Sequence, residues 1–153
     1  MTAELRELYN DMILEHAKSP RNYRALGEGS LHRDGHNPLC GDQVTVYVQL
    51  DGDVVKDVSF LGQGCAVSKA SASIMTQLLK GKTRAEAEEL FTAFHDLLTG
   101  KLDADAEEER LGKLIAFKDV SKFPVRVKCA TLAWHTLKAA LENNPNPIST
   151  EEN

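Results

Sequence analysis

Three cysteines and one aspartate are the residues of this sequence whose type and placement point to chemistry. Cys40 stands in Pro38-Leu39-Cys40-Gly41-Asp42, which puts a thiol and a carboxylate two residues apart with a glycine between them. Glycine lets the backbone turn tightly enough for those two side chains to converge on one point. Cys65 follows in Gly62-Gln63-Gly64-Cys65, and Cys129 in Val127-Lys128-Cys129-Ala130. Three thiols and one carboxylate make a four-donor set of the kind that binds zinc. A structural zinc site is normally enclosed by soft ligands such as four cysteines. A carboxylate beside Cys40 on a glycine turn is a weaker corner, and Cys40 is the thiol expected to react.

Each of these residues lies at the edge of an expected element. Gln43 to Leu50 and Val54 to Leu61 read as strands, rich in valine and partly alternating, with Asp51-Gly52-Asp53 as the hairpin signal between them. Leu31 to His36 is expected to add a short edge strand. Cys40 then falls just ahead of a strand. From Ala66 to Leu79 the apolar positions Val67, Ala70, Ile74 and Leu78 take up helical spacing, so Cys65 sits at a helix start. Unpaired N–H groups and the helix dipole favour a thiolate there. Cys129 falls in the first turns of a last helix, expected from about Val125 to Glu142, with Val127, Ala130, Leu132, Ala133, Leu137 and Leu141 facing inward.

The other elements read as scaffolding. Leu5, Leu8, Tyr9, Met12, Ile13 and His16 predict an amphipathic first helix that ends at Pro20, with His16 as a packed, hydrogen-bonded histidine. Thr83 with Glu86 three residues on is a capping box opening a helix that runs to about Leu98 and stops near Gly100. Leu111 to Val120 is expected to be helical, broken by Ser121-Lys122-Phe123-Pro124. The acidic run from Asp103 to Glu109 lacks the spacing of a calcium loop and reads as solvated surface. The fold class is therefore α+β: one small antiparallel sheet of about three strands packed by helices. A single domain over residues 1–143 and a loose tail over 144–153 are expected.

With 153 residues, 42% of them hydrophobic, the chain can bury one ordinary core. A net charge of −5 argues against a nucleic-acid partner, which asks for a basic face. No apolar run approaches membrane-spanning length and the first residues lack the apolar centre of a signal peptide, so a cytoplasmic address is expected. Three cysteines in a reducing compartment do not form a disulfide framework. They are packing residues, reactive thiols or metal ligands, and without a C-x-x-C pair their spacing leaves those choices open. His32 and His36 are rival ligands that read better as exposed polar side chains. A zinc ion held by three thiolates and a carboxylate would carry excess negative charge, which Arg126 and Lys128 beside Cys129 would offset.

Four ordered blocks resemble a known family. Leu8-Tyr9 with Ile13-Leu14-Glu15-His16 and Pro20-Arg21-Asn22 is similar to the N-terminal signature of the IscU/NifU-like family. Pro38 to Asp42, Gly64 to Ser73 and Arg126 to Trp134 are similar to its three cysteine motifs. Within the family the chain resembles the SufU branch. Lys128 stands where IscU-type members carry histidine, and the segment from Cys65 to Cys129 is longer by about one helix. Lys122-Phe123-Pro124-Val125-Arg126 also departs from the chaperone-binding motif of IscU. The resemblance implies one zinc per chain on Cys40, Asp42, Cys65 and Cys129. It implies a sulfurtransferase whose Cys40 accepts persulfide sulfur from a SufS-type cysteine desulfurase, a histidine of which replaces Cys40 at the metal. A downstream Fe–S assembly scaffold would receive the sulfur. The alternatives are a scaffold binding a [2Fe–2S] cluster, held transiently or otherwise, at the same residues, and a non-catalytic zinc-containing activator of the desulfurase.

Overall fold

The structure, a computed structural model, describes residues 3–38, 40–102, 108–142 and 148–149. Its sheet is built from β1 (Leu31–Asn37), β2 (Asp42–Asp51) and β3 (Val54–Gln63), all antiparallel, and a two-residue β4 (Ile148–Ser149) that runs parallel to β1, giving the order β3-β2-β1-β4. The valine alternation does what period-two patterning requires. Val44, Val46 and Val48 of β2 and Val55, Val58 and Phe60 of β3 are buried on one face. His32 and Tyr47 pair across β1 and β2 with their rings 5.8 Å apart. Gly52, with φ +61°, makes the turn between Asp51 and Val54.

Helices α2 (Ala66–Leu79) and α5 (Pro124–Leu141) lie on the sheet, α1 (Ala3–Lys18) packs on α2, and α3 (Arg84–Leu98) packs on α5, with the four-residue α4 (Glu108–Leu111) and a 3₁₀ segment (Gly112–Lys122) between α3 and α5. Small residues in the first half of α2 let other backbones approach closely. Ser71 donates to the Ala130 carbonyl at 2.5 Å and accepts from Trp134 Nε1 at 3.1 Å, tying α2 to α5. His16 is 1% exposed, with Nδ1 2.7 Å from Ser73 Oγ, the packed histidine expected of it. Phe94 of α3 meets Phe117 edge-on at 5.7 Å and Trp134 at 5.2 Å, which joins the longer central segment to the same core. Thr83 and Glu86 form the capping box in full. Pro124 occupies the first turn of α5, where a missing N–H costs nothing.

Three expectations change. The apolar stripe of α1 is only half used: Ile13 and His16 are buried, Tyr9 and Met12 pack partly, and Leu5 and Leu8 are exposed, because the N-terminal half of the helix lies beyond the core it packs against. The expected helix over Leu111 to Val120 is 3₁₀ from Gly112, whose φ of +54° interrupts the α-helical path. Helix α5 is buried nearly all round from Cys129 to Leu141, and not along a single inner stripe. Most of the acidic run 103–109 and of the expected tail 144–153 lies outside the described residues; Ile148 and Ser149 pair with Gly35 and His36 of β1. Among the described residues no helix is long and apolar enough to cross a membrane.

Candidate metal centre

The site is assembled where three element edges meet at one end of the sheet. Asn37 and Asp42 are register partners across the first hairpin, so the chain from Pro38 to Gly41 must reverse direction between them. Gly41 does so with φ +71°. The N–H groups of Cys40 and Gly41 both donate to the Asn37 carbonyl, at 3.2 and 2.9 Å, which holds the turn closed. Asp42, first residue of β2, is buried and Cys40 on the turn is exposed. Cys65 is the N-cap of α2 and its sulfur accepts from the Ser68 N–H at 3.5 Å. Cys129 lies in the second turn of α5, 1% exposed.

The candidate atoms converge. One donor atom each from Cys40, Asp42 and Cys129 lie within 4.8 Å of one another. The sulfurs of Cys40 and Cys129 are 3.2 Å apart. Cys65 joins through the aspartate: its Sγ is 3.8 Å from Asp42 Oδ2, and its backbone N–H donates to Asp42 Oδ1 at 2.8 Å. A tetrahedral zinc with ordinary bond lengths separates two sulfurs by about 3.7 Å and a sulfur from an oxygen by about 3.5 Å. The Cys40–Cys129 and Cys65–Asp42 separations lie within about half an ångström of these values, while Cys65 itself stands outside the group of donors within 4.8 Å of one another. Three sulfurs and a carboxylate also suit zinc in chemical type.

Electrostatics mark the sulfurs as unequal. Cys65 is lowered to about 6, first by the hydrogen bond it accepts from Cys129 and then by the Ser68 N–H, against the opposing effect of burial. Cys129 is raised, because it is the donor to Cys65 and lies in the interior. The depressed Cys65 is what its helix-start position predicts, with the neighbouring thiol as the larger cause.

His32 and His36 are exposed and do not enter the cluster found among the described residues. Arg126 is exposed and borders a depression of about 310 Å³ with Val67 and Phe123, while Lys128 is half-buried. Two contributors escaped the reading of the sequence. Gly64, with φ +154°, leaves room for the Asp42 carboxylate, since a Cβ there would overlap Asp42 Oδ1. Asn37 is fully buried and donates from Nδ2 to Cys129 Sγ at 3.4 Å. A glycine before a motif cysteine is a signal that could have been weighted. The Asn37 contact spans 92 positions, and no local pattern announces it.

Comparison with known proteins gives a consistent result. The family model for the NifU-like N-terminal domain matches residues 8–130. The zinc-dependent sulfurtransferase SufU of Bacillus subtilis (strain 168) is 45% identical over 136 residues, covering 89% of this chain and 90% of that protein. The iron–sulfur cluster assembly scaffold protein IscU of Streptococcus pyogenes serotype M1 is 35% identical over 144 residues, covering 94% and 89%. A solved structure from Fervidobacterium islandicum AW-1, described as a SUF-system iron–sulfur cluster assembly scaffold (FiSufU), superposes with a TM-score of 0.80 at 38% identity, covering 89% of this chain and 98% of that one.

Proposed function

The chain belongs to the family of NifU-like N-terminal domains, and on that premise we propose that it is a zinc-dependent sulfurtransferase of iron–sulfur cluster biogenesis. Its sulfur donor is a SufS-type cysteine desulfurase, and Cys40 is the acceptor. One observation carries the reading: of three convergent donors, the Cys40 thiol is open to solvent on a turn while Asp42 and Cys129 are buried behind it. A merely structural ion has no use for an exposed corner. The higher identity to a protein named a zinc-dependent sulfurtransferase than to one named a scaffold supports the same choice, as does Lys128 ahead of Cys129.

Cys40, Asp42, Cys65 and Cys129 would hold the zinc. When bound, the ion would keep these thiols deprotonated at neutral pH and temper their reactivity. The chain itself supplies the rest. The turn anchored on the Asn37 carbonyl presents Cys40 outward, to a partner's active-site cysteine persulfide. The Cys40 thiolate attacks the outer, sulfane sulfur. The donor's S–S bond breaks, its cysteine leaves as thiolate, and the sulfane sulfur remains on Cys40 as a new persulfide. One S–S bond replaces another, so no outside oxidant or reductant is needed. A separate assembly scaffold then takes the sulfur, in the cytoplasm.

The test joins metal analysis to transfer of labelled persulfide sulfur from a desulfurase. Wild-type protein should be colourless with about one zinc per chain, and should acquire label that Cys40→Ser does not acquire while keeping its circular dichroism. A second reading, a scaffold for a [2Fe–2S] cluster, draws on the scaffold named among the relatives and on thiolates able to ligate iron. Brown protein containing iron and acid-labile sulfide, with no label on Cys40, would establish that reading instead. If Cys40→Ser still stimulates desulfurase turnover, the protein is an activator without a transfer step.

A further inference from the structure

The four donors differ in how they are held, and the difference runs through one residue. Asn37 ends β1 with its side chain wholly inside the protein. Its main-chain carbonyl accepts from the N–H groups of Cys40 and Gly41, and its side-chain Nδ2 donates to Cys129 Sγ. One residue therefore touches the segment carrying the outer thiol and the sulfur of the inner one. Toward a thiolate only the N–H end of the amide is attractive, so the contact strengthens as Cys129 becomes negative.

We propose that Asn37 is a positioning residue that makes Cys129 the retained sulfur and leaves Cys40 the exchangeable one, an inference that rests on Cys40 being the transferring thiol. An N–H···S bond draws electron density from a thiolate, lowering its nucleophilicity and its readiness to leave a metal for a proton or an electrophile. It also satisfies a charge buried where water cannot reach it. The other fixed donors have equivalents: Cys65 accepts the Ser68 N–H, and Asp42 accepts the Cys65 N–H at 2.8 Å. Among the described residues Cys40 Sγ receives no N–H hydrogen bond; its contact is the Cys129 sulfur. Three donors are pinned by amide groups and the fourth is not. Exposure alone would make Cys40 accessible, whereas this arrangement also makes it the weakest-held.

The test uses the full chain loaded with one equivalent of zinc. A substoichiometric pulse of N-ethylmaleimide is followed by peptide mass spectrometry, which reads the labelling of each cysteine separately. In wild type the label should fall on Cys40. In Asn37→Leu, which keeps the branched shape and deletes the donor, the ratio of Cys129 to Cys40 labelling should rise about tenfold or more, the change that one hydrogen bond to a charged group supports. A second readout needs no variant. On zinc loading of 15N-labelled wild type, an Asn37 side-chain amide proton should shift downfield as it bonds to the thiolate, which a packing role would not produce. An unchanged labelling ratio in a folded Asn37→Leu overturns the proposal, and so does an Asn37 amide unmoved by zinc. If Asn37→Leu does not fold, the amide shift decides. Wild type that retains no zinc, or whose first-labelled thiol is not Cys40, brings down the sulfurtransferase reading beneath it.

Discussion

Gly64→Ala asks whether the space beside Asp42 is part of the site. Gly64 has φ +154° and faces the aspartate: an added Cβ would overlap Oδ1 and stand 2.9 Å from Cγ and 3.0 Å from Cβ of Asp42. Asp42 is 0% exposed and its Oδ1 accepts the Cys65 N–H at 2.8 Å. The carboxylate cannot move away without surrendering that bond, a loss of about 1.5–3 kcal/mol for a hydrogen bond to a charged group. A non-glycine residue in this backbone region costs about 1–3 kcal/mol more. The sum, about 2.5–6 kcal/mol, is a large share of the stability of an ordinary domain. If the segment before α2 yields instead, Asp42 is displaced from the sulfurs, and zinc affinity falls by about 10- to 100-fold, the same hydrogen-bond energy read in the metal equilibrium.

Gly41→Ala is the matched control. Gly41 also has positive φ, +71°, but a Cβ there meets nothing within 4 Å. Only the left-handed backbone is penalised, by about 1–2 kcal/mol, and the donors stay in place. Urea unfolding of the metal-free proteins gives the stability difference, and competition against a chelator of known affinity gives the zinc affinity. Gly64→Ala should be worse than Gly41→Ala on both measurements. Equal effects, or the reverse order, would refute the claim that Gly64 is small for the sake of Asp42.

Asp42→Ala should weaken zinc binding by at least about tenfold while Cys40 still reacts with thiol reagents; unchanged affinity removes Asp42 from the ligand set. His135 is held down to about 4, chiefly by burial and then by His95 and Lys138. Its neutral form stabilises the fold above the unfolded value of about 6.5, and that contribution is lost as the pH falls from there to about 4. His16, lowered by burial as well, acts in the same direction. Urea midpoints measured across this window should fall with acid, and less steeply in His135→Phe; parallel curves would discount the histidine. Thr83→Ala should cost about 1 kcal/mol by removing the capping box, and faster amide exchange confined to the start of α3 would confirm where the loss occurs.

The elements and the donors were legible because the signals that carry them are local. Valine alternation marks β2 and β3, the Thr83–Glu86 pair opens α3, Pro124 starts α5, and the capping position of Cys65 follows from the helix after it. Each depends on residues within a turn or two of one another, where spacing and hydrogen bonding are nearly determined by residue type. The convergence of Cys40, Asp42 and Cys129 was expected from element edges and from a family resemblance, and the structure brings those atoms within 4.8 Å. Cys65 reaches the group by way of Asp42.

What only the tertiary structure decided concerns which side of each residue meets what. Leu5 and Leu8 carry the same helical pattern as Ile13, yet they are exposed, because a stripe says which residues share a face and not how far the neighbouring helix extends. Gly112 falls inside the helix expected over Leu111 to Val120, and only its positive φ in the folded chain divides α4 from a 3₁₀ segment. Asn37 and Cys129 are brought together by β1 lying against α5, where Gly35 leaves room for Thr136. The residue types that can ligate a metal are written in the chain one after another. The inequality among them, three donors held by amide groups and one left open to solvent, arises only when distant segments are packed, since burial and hydrogen bonding at a sulfur depend on neighbours that the chain order does not place beside it.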